Sequence, residues 1–248
     1  MSKQSGLGDR FFVGGYNLSG DINSPALSGG PATLDVTGVD KAAFERIGGV
    51  RDGSMTFTAF FNPGIEANAA HAVLSVLPTA DVQLLYCRGA TLGAPAAGLV
   101  AKQIGYDGTR GQDGSFTFAV QGQGNAYGLE WGTLLTAGER TDTAATNGTS
   151  VDNGAATSFG AQAYLAVTGF TGTDVTVTIQ DSADNATFAD VTGLTFTTVT
   201  AAPAVERLQT GRTATLRRYV RAVTTTSGGF TSATFVVAVN VNAVDTEF

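Results

Sequence analysis

One cysteine, one histidine and one tryptophan are spread over 248 residues, and each scarcity removes an explanation. A lone Cys87 excludes an internal disulfide, so packing must hold the fold together. A lone His71 excludes a multi-histidine metal centre, because such a site needs several convergent ligands. Charged residues make up only 14%, against roughly 25% in an average soluble domain. Thr, Ser, Ala and Gly take their place. A surface of that kind suits repeated protein contacts, since charge is depleted at interface cores. Lys and Arg number 14 against 21 acidic residues, for a net charge of −7. That excludes a high-affinity nucleic-acid binder, which needs a basic surface to neutralise phosphate. No apolar run approaches the roughly 20 residues that span a bilayer. Residues 1–6 lack the apolar stretch of a secretory signal, so synthesis in the cytosol is expected. The balance favours a building block over an enzyme.

What is present is β-like. Hydrophobic residues at 43% suffice for a core, and the length allows one large β domain or two ordinary ones. Residues 1–32 are rich in Gly, Ser, Asn and Pro and read as an extended arm with loops. Thr33 to Thr37 reads as a first strand. Asp40 is placed to cap a short helix over Lys41 to Ile47 that stops at Gly48-Gly49. Between Gly53 and Phe61, Met55, Phe57, Ala59 and Phe61 alternate with Ser54, Thr56, Thr58 and Phe60, the period of a half-buried strand. Ile65, Ala69, Ala72, Val73, Val76 and Leu77 fall at helical spacing and predict an amphipathic helix ending before Pro78.

Strands are then expected at Asp81 to Cys87, Gly98 to Tyr106, Ser115 to Gln121 and Tyr127 to Leu135. A tight loop is expected between Asp107-Gly108 and Asp113-Gly114. Ala137 to Ala156, poor in large apolar groups, reads as a linker. Beyond it, Ala161 to Val167, Val175 to Gln180, Leu194 to Val199, Ala214 to Val223 and Phe230 to Val241 read as the strands of a β-sandwich. The expected division is a first domain with an amino-terminal arm over 1–150 and a β-sandwich domain over 151–248. The whole is expected to be all-β with one or two helices.

Few residues invite a chemical reading. His71 and Cys87 would form a nucleophile–base pair only with an orienting acid and oxyanion donors, so a packed histidine and a small buried thiol are preferred. Gly122 to Gly128 resembles a dinucleotide loop, but its spacing is wrong and it precedes a strand. Asp181, Asp184 and Asn185, or Asp107 and Asp113, lack the alternating acidic spacing of a calcium loop and read as turns. Asn147-Gly148-Thr149 and Asn185-Ala186-Thr187 match a glycosylation sequon and also read as turns. Arg217, Arg218 and Arg221 form the basic cluster of the chain. A glycan or phosphate contact competes there with arginines stacked on Tyr219 or paired to acids, and the second is preferred. Phe60 and Phe61 point to opposite faces of their strand, either in a sandwich centre or at a subunit contact. No residue is assigned to catalysis, a cofactor or a metal.

An ordered set of elements carries a resemblance. Gly8-Asp9-Arg10-Phe11-Phe12-Val13-Gly14-Gly15-Tyr16 is followed by Ile22-Asn23-Ser24 and by Thr37-Gly38-Val39-Asp40-Lys41. Phe44-Glu45-Arg46-Ile47, Arg51-Asp52-Gly53 and Phe60-Phe61-Asn62-Pro63 come next. Ala70-His71-Ala72-Val73-Leu74 then leads to Leu77-Pro78, with Asp107-Gly108-Thr109 last. Over roughly residues 8–150 the chain resembles the tail tube, or major tail, proteins of long non-contractile-tailed bacteriophages, of the kind infecting actinobacteria. The resemblance implies a barrel-like β subunit with a flanking helix, six copies to a ring, and stacked rings enclosing a channel for the genome. The implied partners are itself, other tail proteins, and the double-stranded DNA and tape measure protein that pass through. The implied location is the virion, after synthesis in the host cytoplasm. Gln180 to Phe188, with Arg218-Tyr219-Val220-Arg221, is similar to the carbohydrate-binding-like and galactose-binding-like modules appended to phage proteins. The alternative function is therefore a carbohydrate-binding decoration or adhesion protein of the virion.

Overall fold

The computed structural model describes residues 5–64, 66 and 68–246. Strands dominate. The first half holds β1 (Arg10–Val13), β2 (Tyr16–Asn17), β3 (Ala26–Asp35), β4 (Arg46–Phe60), helix α1 (Ala70–Leu74), β5 (Val82–Cys87), β6 (Pro95–Arg110), β7 (Phe116–Gly124), β8 (Glu130–Leu134) and β9 (Arg140–Asp142). Then follow β10 (Val151–Asp152), β11 (Ala161–Thr171), β12 (Thr176–Ser182), β13 (Ala189–Thr195), β14 (Ala204–Gln209), β15 (Tyr219–Thr225) and β16 (Ser232–Val241).

Twelve strands share one sheet, whose main path runs β14-β11-β16-β8-β6-β5-β1-β2. Strands β7, β4 and β3 branch from the far half of β6, and β9 adds to β16. A second sheet of four strands runs β10-β15-β12-β13. All the strand pairs are antiparallel, so period-two patterning decides which side chains are buried.

Opposite faces of β11 and β16 serve different cores. Ala163, Leu165 and Val167, with Phe235, Val237 and Val239, pack against Val177, Ile179, Leu194 and Val220 of the small sheet, which makes a sandwich. The intervening Tyr164, Ala166, Val236 and Ala238 pack instead with Phe12, Leu85, Cys87 and Leu134. A third core gathers Phe11, Met55, Phe57, Leu74, Leu84, Leu99, Phe118 and Val120. One core thus draws on residues 11–129, another on 135–239, and the core around Tyr164 on both.

The junction is polar at one point. Arg207 on β14 donates from Nε and Nη2 to the two carboxylate oxygens of Glu130 on β8, at 2.9 and 2.6 Å. Both side chains are buried, at 4% and 2% exposure. The Tyr164 hydroxyl donates to the same carboxylate at 2.5 Å, and burial pushes its pKa well above the ordinary value. Tyr164 lies over Gly98, where an added Cβ would sit 2.5 Å from the ring.

Several expectations are corrected. No helix forms over Lys41 to Ile47; those residues belong to a loop and to the start of β4. A seven-residue helix is marginal in isolation, whereas pairing Thr33, Leu34 and Asp35 with Gly48, Ile47 and Arg46 extends a hairpin already anchored further down. The helix expected over 65–77 shrinks to five residues, Ala70–Leu74, with no side-chain cap. Its buried face is Ala70 and Leu74, while Val76 and Leu77 stay exposed. Leu77 has a φ of 47°, which takes it out of the helix; Ile65 lies outside the described residues. The amino-terminal stretch read as arm and loops contains β1, β2 and the start of β3. The stretch read as a linker contains β9 and β10, paired to β16 and β15. The loop expected after Asp107-Gly108 is shorter, because β6 continues to Arg110 and turns at Gly111–Ser115. The strand read over Leu194 to Val199 is β13, placed earlier in the chain, and β14 was not foreseen.

The buried pair makes a quantitative prediction. Glu130→Ala leaves the Arg207 guanidinium buried without its partner and should cost about 3–5 kcal/mol in denaturant unfolding. Tyr164→Phe removes one hydrogen bond and should cost about 1 kcal/mol.

Candidate assembly interface

The far half of β6 with β7, β4 and β3 forms a four-stranded sheet of two unlike faces. On β4, Met55, Phe57 and Ala59 are buried; on β7, Phe118 and Val120 are. The strand registers put the intervening residues on one open face: Ser54, Thr56 and Thr58 beside Gln123, Gln121 and Ala119, with Lys102, Asp107 and Thr109 beside Gln123, Ala119 and Thr117. This face is polar and its free charge is acidic, with Asp107 exposed on it and Asp52 accepting from Gln123 Nε2 at 2.8 Å. Its one lysine, Lys102, is paired with Asp81 at 2.8 Å and donates to the Thr79 carbonyl. Hydrogen bonds from Lys102 and Asn125 hold the Asp81 carboxyl below its ordinary pKa.

Both borders of this sheet are open. β3 pairs with β4 alone. β6 is flanked by β5 only as far as Ala101, opposite Val82. From Gly105 to Arg110 it is paired by β7 alone. Among the described residues no other strand covers either border. Unpaired backbone donors and acceptors on an edge strand are a template for another chain.

The β3–β4 hairpin also projects. Leu34, Val36, Val39, Phe44, Ile47 and Val50 are exposed on it, Val39 fully. The tip is nonetheless ordered by its own bonds. The Val36 amide donates to the Glu45 carbonyl at 3.0 Å, and the Lys41 amide to the Gly38 carbonyl at 3.1 Å. Thr37 Oγ1 donates to Asp35 and accepts from the Glu45 amide. Those Thr37 bonds hold the Asp35 carboxyl below its ordinary pKa. Arg46 lies 4.6 Å over the Phe44 ring. Exposed apolar groups gathered in one place mark an interaction surface.

A groove of about 390 Å³ lies at the root of the hairpin's sheet, beside α1, lined chiefly by Tyr16, Ala72, Val73, Val76, Pro78 and Val82. Next to it is an aromatic cluster. His71 Nδ1 hydrogen-bonds the Tyr106 hydroxyl at 2.9 Å, and Tyr106 stacks on Phe118 with centroids 4.1 Å apart. Phe61 packs on His71, Phe116 and Phe118, while Phe60 on the opposite face is 47% exposed.

The residues singled out by sequence do not converge. His71 sits in the aromatic cluster and Cys87 in the core around Tyr164, where burial pushes the thiol up to about 12. Gly122 packs inward, an added Cβ lying 2.5 Å from Leu84. Asp181 is occupied by Arg217, which donates to it from Nε at 2.7 Å. Asp184 accepts from the Thr187 and Ala186 amides and from Ser182, bonds that hold it at about 2. Asn185, at a φ of 60°, completes that turn. Asp113 caps the β6–β7 turn through Ser115. Arg218 pairs with Asp152 at 2.7 Å and lies 5.0 Å over Tyr219. Arg221 bonds Gln180 and covers the Phe188 ring at 3.9 Å. The arginine cluster is thus spent on acids, amides and rings within the sandwich. Sequence reasoning missed the exposed hairpin tip. Its signal was an apolar series from Leu34 to Val50 that fits neither helical nor strict two-residue spacing.

No family model matches the chain, and no curated protein does. Among solved structures, it is similar to the tail of an empty GTA particle determined with C6 symmetry, at 12% identity and a TM-score of 0.40, over 52% of this chain and 97% of that one. It is similar to SPP1 Dit, described as a hub of the adsorption apparatus in phages infecting Gram-positive hosts, at 12% identity and a TM-score of 0.33, over 94% and 99%. The third is the phage p2 baseplate in its activated conformation, at 10% identity and a TM-score of 0.29, over 92% and 97%.

Two side chains here make checkable statements. Cys87 should resist alkylation in the native protein at pH 8 and react on denaturation, as read by mass spectrometry. The hydrogen bond from Arg218 depresses the Asp152 carboxyl to about 2 from 3.8. Its stabilising contribution is therefore whole above pH 3.8 and is lost as pH falls through about 2. An NMR titration of the Asp152 carboxyl should find its midpoint there.

Proposed function

We propose that this chain is a structural, non-enzymatic subunit of a phage tail that closes with its own copies into rings, the rings stacking into a tube. One observation supports the reading: the four-stranded sheet β3-β4-β7-β6 presents two open borders and a polar face whose carboxylates, Asp107 and Asp52, outnumber its single lysine. A border on β3 and a border on β6 are different surfaces. A contact between unlike surfaces is heterologous, and it closes into a ring when the rotation fits. Closure satisfies the backbone groups that an isolated copy leaves on both edges. With six copies, as the sequence resemblance implies, four strands each at about 4.8 Å spacing make a barrel at least about 37 Å across its backbone.

The open face would then line the channel. It offers hydroxyls, amides and the Asp107 carboxylate, and its lysine is neutralised by Asp81. Without a run of free cations, there is no counterion-release gain to hold passing DNA. The role is a conduit in the virion for DNA and tape measure protein, with other tail proteins at its ends. The chain divides in this reading into a tube-forming part over 1–150 and a sandwich over 151–248 carried outside the channel.

Negative-stain microscopy of the purified protein should show rings or tubes with a central hole. Hydrogen exchange should show residues 26–30 and 105–110 gaining protection on assembly. Discrete monomers at high concentration, or protection that spares both borders, would overturn the proposal.

A further inference from the structure

We infer that Asp81 is a charge guard for the channel: it holds Lys102 in a neutral pair, so that a lysine the fold uses as a staple does not grip passing DNA. This rests on the ring reading, which makes the open face of the sheet the lining. It goes beyond that reading by giving one carboxylate a task distinct from stability.

Lys102 has structural work of its own. It follows Ala101, the last residue of β6 that β5 pairs. Its Nζ donates to the Thr79 carbonyl at 2.6 Å, which ties the segment between α1 and β5 to the strand that begins the open sheet. Asp81 Oδ1 lies 2.8 Å from the same Nζ and accepts from Asn125 Nδ2 at 3.0 Å. Asn125 is fixed in turn, because its amide donates to the Val100 carbonyl at 2.9 Å. The carboxylate is therefore held over the ammonium by a neighbour that is itself bonded to β6.

A stabilising ion pair is the simpler account, and exposure counts against it. The two side chains are 42% and 41% exposed, and exposed pairs contribute little to stability. The bond to Thr79 needs no carboxylate. What sets this pair apart is its place. Lys102 stands on the open face beside Gln123, whereas Arg51 and Arg110 alternate onto the opposite face. Released from Asp81, Lys102 would put a positive charge among the carboxylates Asp52 and Asp107. Around a ring, one such lysine per subunit makes a cationic belt at a single level, and each stacked ring repeats it. A duplex in the channel would exchange counterions for lysines at every belt, which is the sequence-independent term in DNA affinity. Contacts repeated along one molecule gain through effective concentration, so a weak hold per ring becomes arrest over a tube. The guard stays charged at neutral pH, since the bonds from Lys102 and Asn125 hold the Asp81 carboxyl below its ordinary pKa.

Asp81→Asn tests this in the full-length protein. The amide keeps an oxygen for Lys102 and Asn125 to donate to and removes only the charge. Assembled tubes are mixed with a short labelled duplex, digested with nuclease, and the protected duplex is counted. Asp81→Asn tubes should protect at least about tenfold more than wild-type tubes at low salt and lose it as salt rises. The D81N/K102Q double variant should return to the wild-type level. Thr58→Lys is the reference, since it adds a lysine to the same face, two strands away from Asp81. Protection by Thr58→Lys tubes, with Asp81→Asn tubes no different from wild type, would overturn the guard and leave the ring reading standing. Protection by neither would remove this face from the channel and sink both. Protection by Asp81→Asn that persists in D81N/K102Q would overturn the guard by showing that another cation holds the duplex. If Asp81→Asn assembles only when diluted with wild-type subunits, the mixed tubes serve for the same comparison. Exclusion even from mixed tubes would show the pair to be an assembly element and overturn its charge role.

Discussion

Strand β6 changes its surroundings at Ala101, and the rest of the architecture depends on that change. Up to that residue it is paired by β5 on one side, with β8 beside Pro95 to Gly98 on the other. Beyond it only β7 remains. A backbone paired on both sides is satisfied within the chain; one paired on a single side leaves a row of polar groups that only water or another chain can meet. The first half of β6 therefore builds the body, and the second half starts the branch that ends in a projecting hairpin. A single strand of sixteen residues ties the two together, so the orientation of the open sheet is fixed by the body's own hydrogen bonds and not by a flexible hinge.

The body must then be rigid where the branch is rooted, and the buried polar cluster lies close to that root. Glu130 sits opposite Gly98 on β6, and Gly98 accommodates the Tyr164 ring that bonds the same carboxylate. Arg207 reaches in from β14, beyond β11. Apolar residues of like volume in this place would often be as stabilising or more so. What the cluster adds is geometry. A bidentate guanidinium and a phenol meeting one carboxylate tolerate few arrangements, so β8, β11 and β14 have one mutual placement. In the proposed ring, that fixed placement would give the open edge a defined position.

The readable parts of the sequence were those where one face of a strand packs and the other does not. Met55, Phe57 and Ala59 alternate with Ser54, Thr56 and Thr58, and their burial follows that pattern. β5, β11 and β16 are apolar on both faces and were legible as strands, but nothing in them says that their two faces serve different cores. The failures are local signals outweighed by pairing. Asp40 and Gly48-Gly49 look like a cap and a stop around a helix. The chain instead continues β3 and β4 because each added rung extends an existing ladder, whereas a short helix pays its nucleation alone. The helical spacing from Ile65 to Leu77 likewise overstated α1, since few of its apolar residues find a surface to cover. His71 and Cys87 lie apart, one in the aromatic cluster and the other in the core around Tyr164. The exposed hairpin was illegible for a different reason: an apolar residue left on the surface has the same spelling as one that packs in its own chain.

An exposed apolar hairpin and two open borders in a protein of low charge are an aggregation hazard unless something narrows what they accept. The outer length of β3 carries that restraint. Pro31 cannot donate a backbone hydrogen bond, and the register shifts between Pro31 and Thr33, so the regular part of the border is the short run from Ala26 to Gly30. On the other side the register of β6 shifts between Gln103 and Gly105, with Ile104 turned outward. Each border is thus interrupted at a fixed place, and a strand added in the wrong register meets the interruption before it has gained many bonds. At the tip, Asp40, Lys41, Glu45 and Arg46 stand among the apolar groups, with Lys41 and Glu45 3.4 Å apart. A flat hydrophobic surface laid on the tip would have to desolvate those charges. In the proposed ring, the irregularities of the edges restrict the register in which an edge could be met, and they offset the hazard of low overall charge.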